Sequence, residues 1–293
     1  MEGRGVGRVA LSALVAVFLG ASLGADQASL TPPAKGSIRV AFVLSPGAVV
    51  IDYSGPWEVF QDAAVPDPAE GTPAFELYTV AATTDPIRVS GGLKVVPDYT
   101  FESAPAPRII VIPAQGGGKD QRLVDWVRTS AAHADLTMSV CTGAFILAET
   151  GLLNGKGVTT HHSAYKRLAA TYPGVHVQQG FRFVEEGSVA SAGGLTSGID
   201  LALRVVERYF GHEAAERTAF YMEYQGKGWE DPKSNTAFIP VATAANAVVD
   251  PVCGMDVPPD THYVSTYGGK TVHFCSATCK EAFDKAPAEY QGK

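Results

Sequence analysis

Cysteine is scarce in this chain: there are four in 293 residues, and only Cys141 precedes residue 253. Disulfides therefore cannot staple the larger part of the molecule, which must rest on an ordinary apolar core; a 46% hydrophobic composition suits that. Basic residues are in the minority, 23 Lys and Arg against 30 Asp and Glu, for a net charge of −7. No block of like charge stands out. This balance argues against nucleic acid as a partner, because binding phosphates needs a concentrated basic face. The apolar run over residues 9–23 is shorter than the ~20 residues that span a bilayer comfortably.

That run is preceded by Arg4 and Arg8 and followed by small residues through Ala25. A basic start, a short apolar stretch and a small-residue exit make residues 1–25 a secretory signal peptide. The chain is accordingly expected to be exported, to the periplasm, with no stable membrane span once the signal is cleaved. An uncleaved N-terminal anchor is the other reading, since a cut after Ala25 would put bulky Leu23 where a small residue is usual. Residues 26–36, with Pro32-Pro33 and Gly36, read as a flexible lead-in.

From residue 37 short apolar runs alternate with helical stretches. Strands are expected over residues 38–44, 75–82, 109–112, 134–141 and 157–160. Helices are expected over 57–62 (after a Ser54-Gly55-Pro56 turn), 121–132, 164–172, 198–210 and 212–224. Residues 181–185 and 188–192 look like a hairpin around Glu186-Gly187. The alternation implies an α/β fold, a mainly parallel sheet sandwiched by helices, with an antiparallel addition at one edge. In such sheets chemistry gathers outside the carboxyl ends of the strands.

At one of those ends sits Cys141. An apolar run stops at this residue, and a helix-like run begins after the small residues Thr142 and Gly143. That is the pattern of a nucleophile elbow, in which the turn pushes one side chain out of the sheet toward a helix N-terminus. The positive end of the helix is expected to favour thiolate over thiol. A buried structural cysteine is the alternative. Asp52 follows the first strand and either caps the next helix or handles protons near the thiol. The turn Ala114-Gln115-Gly116-Gly117-Gly118 leaves another strand; it is either a plain flexible loop or a donor of free N–H groups to developing negative charge. His161 ends a strand within reach of the thiol or its substrate, or is an ordinary satisfied histidine.

In order, Asp52-x-Ser-Gly-Pro-Trp-Glu58-Val-Phe60, Cys141-Thr-Gly-Ala-Phe, Thr159-Thr-His161 and Ser191-Ala-Gly-Gly-Leu-Thr-Ser-Gly-Ile-Asp200 resemble the ThiJ/PfpI superfamily. The set is most similar to its isonitrile hydratase-like branch, which is also found fused to AraC-type regulators. The resemblance runs over residues 37–228 and implies a flavodoxin-like, glutamine amidotransferase-like sandwich, usually dimeric, with no cofactor. It implies that Cys141 is the nucleophile, with Asp52 and Thr142 as its catalytic partners. Thr142 departs from the histidine that follows the cysteine in many superfamily members, which argues against the protease-like branch. Where the family has Pro-Gly-Gly, this chain has Pro113-Ala114-Gln115. Both replacements keep an N–H, so the oxyanion assignment to Ala114, Gln115 and Gly116 stands, but the added side chains alter the pocket. No helix-turn-helix segment follows, so a regulator would lack its DNA-binding half.

Residues 229–248 lack periodicity and read as a linker to a small module over residues 249–293. Cys253 lies in Asp-Pro-Val-Cys-Gly-Met255, and Cys275 and Cys279 lie in His273-Phe-Cys-Ser-Ala-Thr-Cys. Cysteines four apart at a helix start share a face that a distant third can join. So short a chain gains from a metal in folding. These motifs resemble a YHS domain, a family associated with heavy-metal and copper handling. Zn²⁺ or Cu(I) is the expected ion, with His273 or Met255 as candidate fourth ligand; a disulfide that leaves one thiol free is the alternative. The chain as a whole therefore reads as an exported cysteine-dependent hydratase or hydrolase acting on a small molecule, with a tethered metal-binding module. A non-catalytic small-molecule-binding or metal-trafficking protein on the same fold is the competing reading.

Overall fold

The computed structural model describes residues 27–65, 72–116, 120–239, 248–251, 256–274 and 277–290. The signal-peptide assignment to residues 1–25 lies outside them, and among the described residues no helix is long and apolar enough to cross a membrane.

The apolar runs become β1 (Ile38–Val43), β2 (Phe75–Ala81), β3 (Tyr99–Thr100), β4 (Ile109–Ile112), β5 (Leu136–Val140), β6 (Phe183–Glu186) and β7 (Val189–Ala192). They form a seven-stranded sheet in the order β6-β7-β5-β4-β1-β2-β3. Every pairing is parallel except β6 with β7 at the edge. Strands β4 and β5 are buried at every position, as expected of central strands covered on both faces.

The helices are α1 (Val50–Gln61), α2 (Gln121–Ala131), α3 (Gly143–Glu149), α4 (Tyr165–Thr171), α5 (Ser197–Phe210) and α6 (His212–Tyr221). Alternate strand residues point to opposite faces. Val40, Phe42, Val111 and Met138 therefore pack with Phe60 of α1 and Leu201 and Val205 of α5. Ala41, Val43, Ile110 and Ile112 pack instead with Leu123 of α2, Leu147 of α3 and Leu168 of α4.

Three expectations are corrected. Ser54-Gly55-Pro56 is no turn, because it lies inside α1. Gly55 is there for a close helix crossing: a Cβ would stand 2.9 Å from Ile199 Cγ1 of α5. The lead-in is tied down, since Leu30 N–H donates to Arg208 O at 2.8 Å and Arg108 Nη2 donates to Thr31 O at 3.0 Å. The linker begins later than expected. Trp229 is buried in the large core, Arg182 N–H donates to Pro232 O at 2.7 Å, and Asn235 N–H donates to Gly180 O at 3.0 Å. The large domain therefore extends through residue 239.

In the tail, β8 (Val264–Tyr267) and β9 (Lys270–His273) pair antiparallel through Gly268-Gly269. Both glycines have positive φ, 57° and 75°, as a tight two-residue hairpin turn requires. Helix α7 (Ala277–Lys285) adds Phe283, whose ring packs against Phe274, Tyr267 and Tyr290.

Candidate active site

Cys141 stands at the carboxyl end of β5, between that strand and α3. Its φ of 58° is unusual for a residue with a Cβ, and the neighbouring chain holds it there. Cys141 N–H donates to Gly193 O at 2.8 Å, and Thr160 Oγ1 donates to Cys141 O at 2.8 Å. Gly143 is needed because a Cβ there would stand 2.2 Å from Ile112 O. The elbow expected from the sequence is present.

Asp52 is fully buried and is the third residue of α1. It does not cap the helix; the N-cap position is Val49, without a side-chain cap. The carboxyl instead turns toward the elbow. Its Oδ2 accepts from Ala114 N–H at 3.1 Å, and the Cys141 thiol donates toward the same group. Oδ1 is buried and receives no N–H or O–H donor among the described residues. Burial raises the Asp52 pKa to about 7, against the opposing pull of the Ala114 and Cys141 hydrogen bonds.

The expectation of a depressed thiol pKa is overturned. Burial first, and the Asp52 charge second, push Cys141 up to about 12. The backbone N–H groups of Thr142 and Leu195 and the Thr142 hydroxyl act against this by hydrogen bonding to the sulfur. Cys141 is 8% exposed, so burial outweighs the one short helix behind it. Near neutral pH the cysteine of the resting pair is a thiol, and burial makes the neighbouring carboxyl far more readily protonated than an exposed aspartate.

The remaining predicted residues divide. Thr142 faces the sulfur through two donors. The Ala114 N–H is engaged by Asp52, so it is not a free oxyanion donor. The Gln115 side chain is clamped to the end of β1: Oε1 accepts from Ser45 N–H at 2.6 Å, and Nε2 donates to Val43 O at 2.9 Å. Gly116 accepts from Ser45 Oγ at 3.0 Å through its carbonyl. His161 Nδ1 contacts Ser163 Oγ at 2.7 Å, and the Cδ2–Nε2 edge of its ring lies against Gly194.

Leu195 was not singled out from the sequence. The register Ala192↔Val140 places β7 beside β5, so the residues leaving both strands meet at Cys141. That adjacency is tertiary. The local signal is the ordered segment from Ser191 to Asp200, with its Gly193-Gly194 pair at a strand's end.

In the tail, Cys253, Cys275 and Met255 lie outside the described residues. Cys279 is on α7 and partly buried. The His273 Nδ1 is buried with no hydrogen-bond partner among the described residues, which fits an atom reserved for a metal.

Residues 38–208 match the DJ-1/PfpI family. The chain belongs to that family. Residues 248–293 match the YHS domain. Over 218 residues the chain is 33% identical to isonitrile hydratase from Pseudomonas putida, covering 73% of this chain and 88% of that protein. It is 25% identical to the HTH-type transcriptional regulator GlxA of Rhizobium meliloti, over 62% of this chain and 56% of the regulator. Among solved structures, a ThiJ/PfpI family protein from Pseudomonas syringae superposes with a TM-score of 0.59 at 27% identity, over 66% of this chain and 77% of that one. DJ-1beta of Drosophila melanogaster shares the DJ-1/PfpI fold, with a TM-score of 0.55 at 18% identity, over 65% of this chain and all of its own.

Proposed function

We propose that the large domain is a cysteine-dependent hydratase of the isonitrile hydratase type. The observation that carries this is the buried Asp52–Cys141 pair, with the N–H groups of Thr142 and Leu195 directed at the sulfur. Asp52 takes the Cys141 proton as sulfur attacks the terminal carbon of R–NC, and passes that proton to the same carbon. The product of this step is a thioimidate, S–CH=N–R. Water, deprotonated by Asp52, then adds to that carbon, and the nitrogen gains a proton. The C–S bond breaks as the added hydroxyl becomes the formyl C=O, its proton passes through Asp52 to sulfur, and an N-substituted formamide, R–NH–CHO, leaves. The Thr142 and Leu195 donors stabilise sulfur as it gains charge before attack and again as it departs.

The tail would hold one Zn²⁺ or Cu(I) through Cys253, Cys275 and Cys279, with His273 supported as fourth ligand over Met255 by a buried Nδ1 that has no hydrogen-bond partner among the described residues. A metal bound there supplies folding free energy to a chain too short for a large core. Export rests on residues 1–25, and a homodimer rests on the family likeness. The test is to incubate purified protein with alkyl and aryl isonitriles and measure formamide. Turnover that Cys141→Ala abolishes is expected. Absence of turnover across the series would overturn the reading and favour a non-catalytic small-molecule-binding role.

A further inference from the structure

Leu195 has a backbone conformation that leucine seldom adopts, with φ of 45°, and its N–H is one of the two backbone donors aimed at Cys141. Such a conformation persists only where its surroundings over-determine it. Arg182 grips the turn from both sides. Its carbonyl accepts from Gly193 N–H at 2.8 Å, and its Nη2 donates to Thr196 Oγ1 at 3.3 Å.

Arg182 is itself held by the end of the domain. Its Nε donates to Asp200 Oδ2 at 2.7 Å, Nη2 pairs with the same oxygen, and Nη1 donates to Asn235 Oδ1 at 3.4 Å. Its N–H donates to Pro232 O at 2.7 Å. Asp200 is fully buried and also accepts from the Tyr224 hydroxyl at 3.0 Å. Gly228 approaches so closely that a Cβ would stand 2.8 Å from Asp200 Oδ2.

We propose that Arg182 is a positioning residue that holds the Leu195 N–H on the Cys141 sulfur, and that residues 224–235, beyond the 38–208 family match, complete this wall of the site by fixing Arg182. The proposal rests on Cys141 as the nucleophile and not on what it attacks. A guanidinium can reach Asp200, Thr196 and Asn235 together, whereas a lysine ammonium cannot.

The experiment measures iodoacetamide alkylation of Cys141 in the full chain, resolved from the tail cysteines by peptide mass spectrometry, between pH 7 and 9. Arg182→Lys should slow alkylation about tenfold, the scale of one hydrogen bond to a charged group. Thr196→Val should slow it in the same direction, and Thr196→Ser should restore it. Thr196 is exposed, so this pair carries the test if Arg182→Lys fails to fold. A purely structural role would loosen the site and leave alkylation equal or faster; either result overturns the proposal. Because no substrate is involved, a wild-type chain that hydrates no isonitrile leaves this test intact. Unchanged alkylation in an active enzyme removes only the role of Arg182.

Discussion

Asp52 combines two opposed demands at one residue. Burial raises its carboxyl from 3.8 to about 7, so its contribution to stability is full below pH 3.8 and is lost as pH rises through about 7. Above that, the ionised carboxylate weighs against the fold by up to roughly 4 kcal/mol. Asp52→Asn keeps an acceptor for Ala114 N–H and removes the charge. Its melting temperature should exceed that of the wild type at pH 8, with the gain vanishing near pH 4. Hydratase activity should meanwhile fall about 100-fold or more. In the wild type, kcat/KM should decline as pH drops through about 7, because the doubly protonated pair has no base. A profile flat from pH 5 to 8 would contradict the assignment of Asp52 as the proton carrier.

At the scale of elements, two glycines set two contacts of different hardness. Gly143 lets the start of α3 pass over the end of β4, where a Cβ would meet Ile112 O at 2.2 Å and Pro113 O at 2.8 Å, both backbone atoms. Gly55 lets α1 cross α5, where the nearest atom, at 2.9 Å, belongs to the Ile199 side chain, which can turn aside. Gly143→Ala should therefore cost roughly 3 kcal/mol or more, and Gly55→Ala about 1 kcal/mol. Denaturant midpoints measured on both variants check the order; an equal loss would mean that the elbow backbone yields as easily as a side chain. The sequence marked both segments and misread one. Ser-Gly-Pro looks like a turn locally, yet Pro56 is tolerated inside α1 because packing against α5 outweighs one lost backbone hydrogen bond.

For the molecule as a whole, the tail and the large domain differ in what stabilises them. The large domain buries two extensive apolar clusters. The described part of the tail has a small aromatic group around Phe274 and Phe283. Metal removal should therefore abolish the tail's structure and spare the cooperative melt of the large domain. The check is metal content per full-length chain, with melting followed before and after chelation. Cys279→Ser and His273→Ala should each lower metal content, while a chain carrying no metal and a disulfide between tail cysteines would replace the metal reading.

From its sequence alone this protein declared its α/β class, the edge hairpin, the elbow at Cys141 and the two family likenesses. Those features rest on local spacing: apolar periodicity, a small pair after a cysteine, and short ordered motifs. Tertiary structure decided the rest. Asp52 meets the thiol only because α1 lies beside the end of β5, and burial, a property of the assembled core, reverses the expected direction of the Cys141 pKa. The same holds for residues 27–31 and 229–239, which read from the sequence as lead-in and linker. Their backbone groups, and the Gln27 side chain, find partners on β6, α5 and the Gly180–Arg182 segment, and no pattern along the chain records partners so distant in sequence.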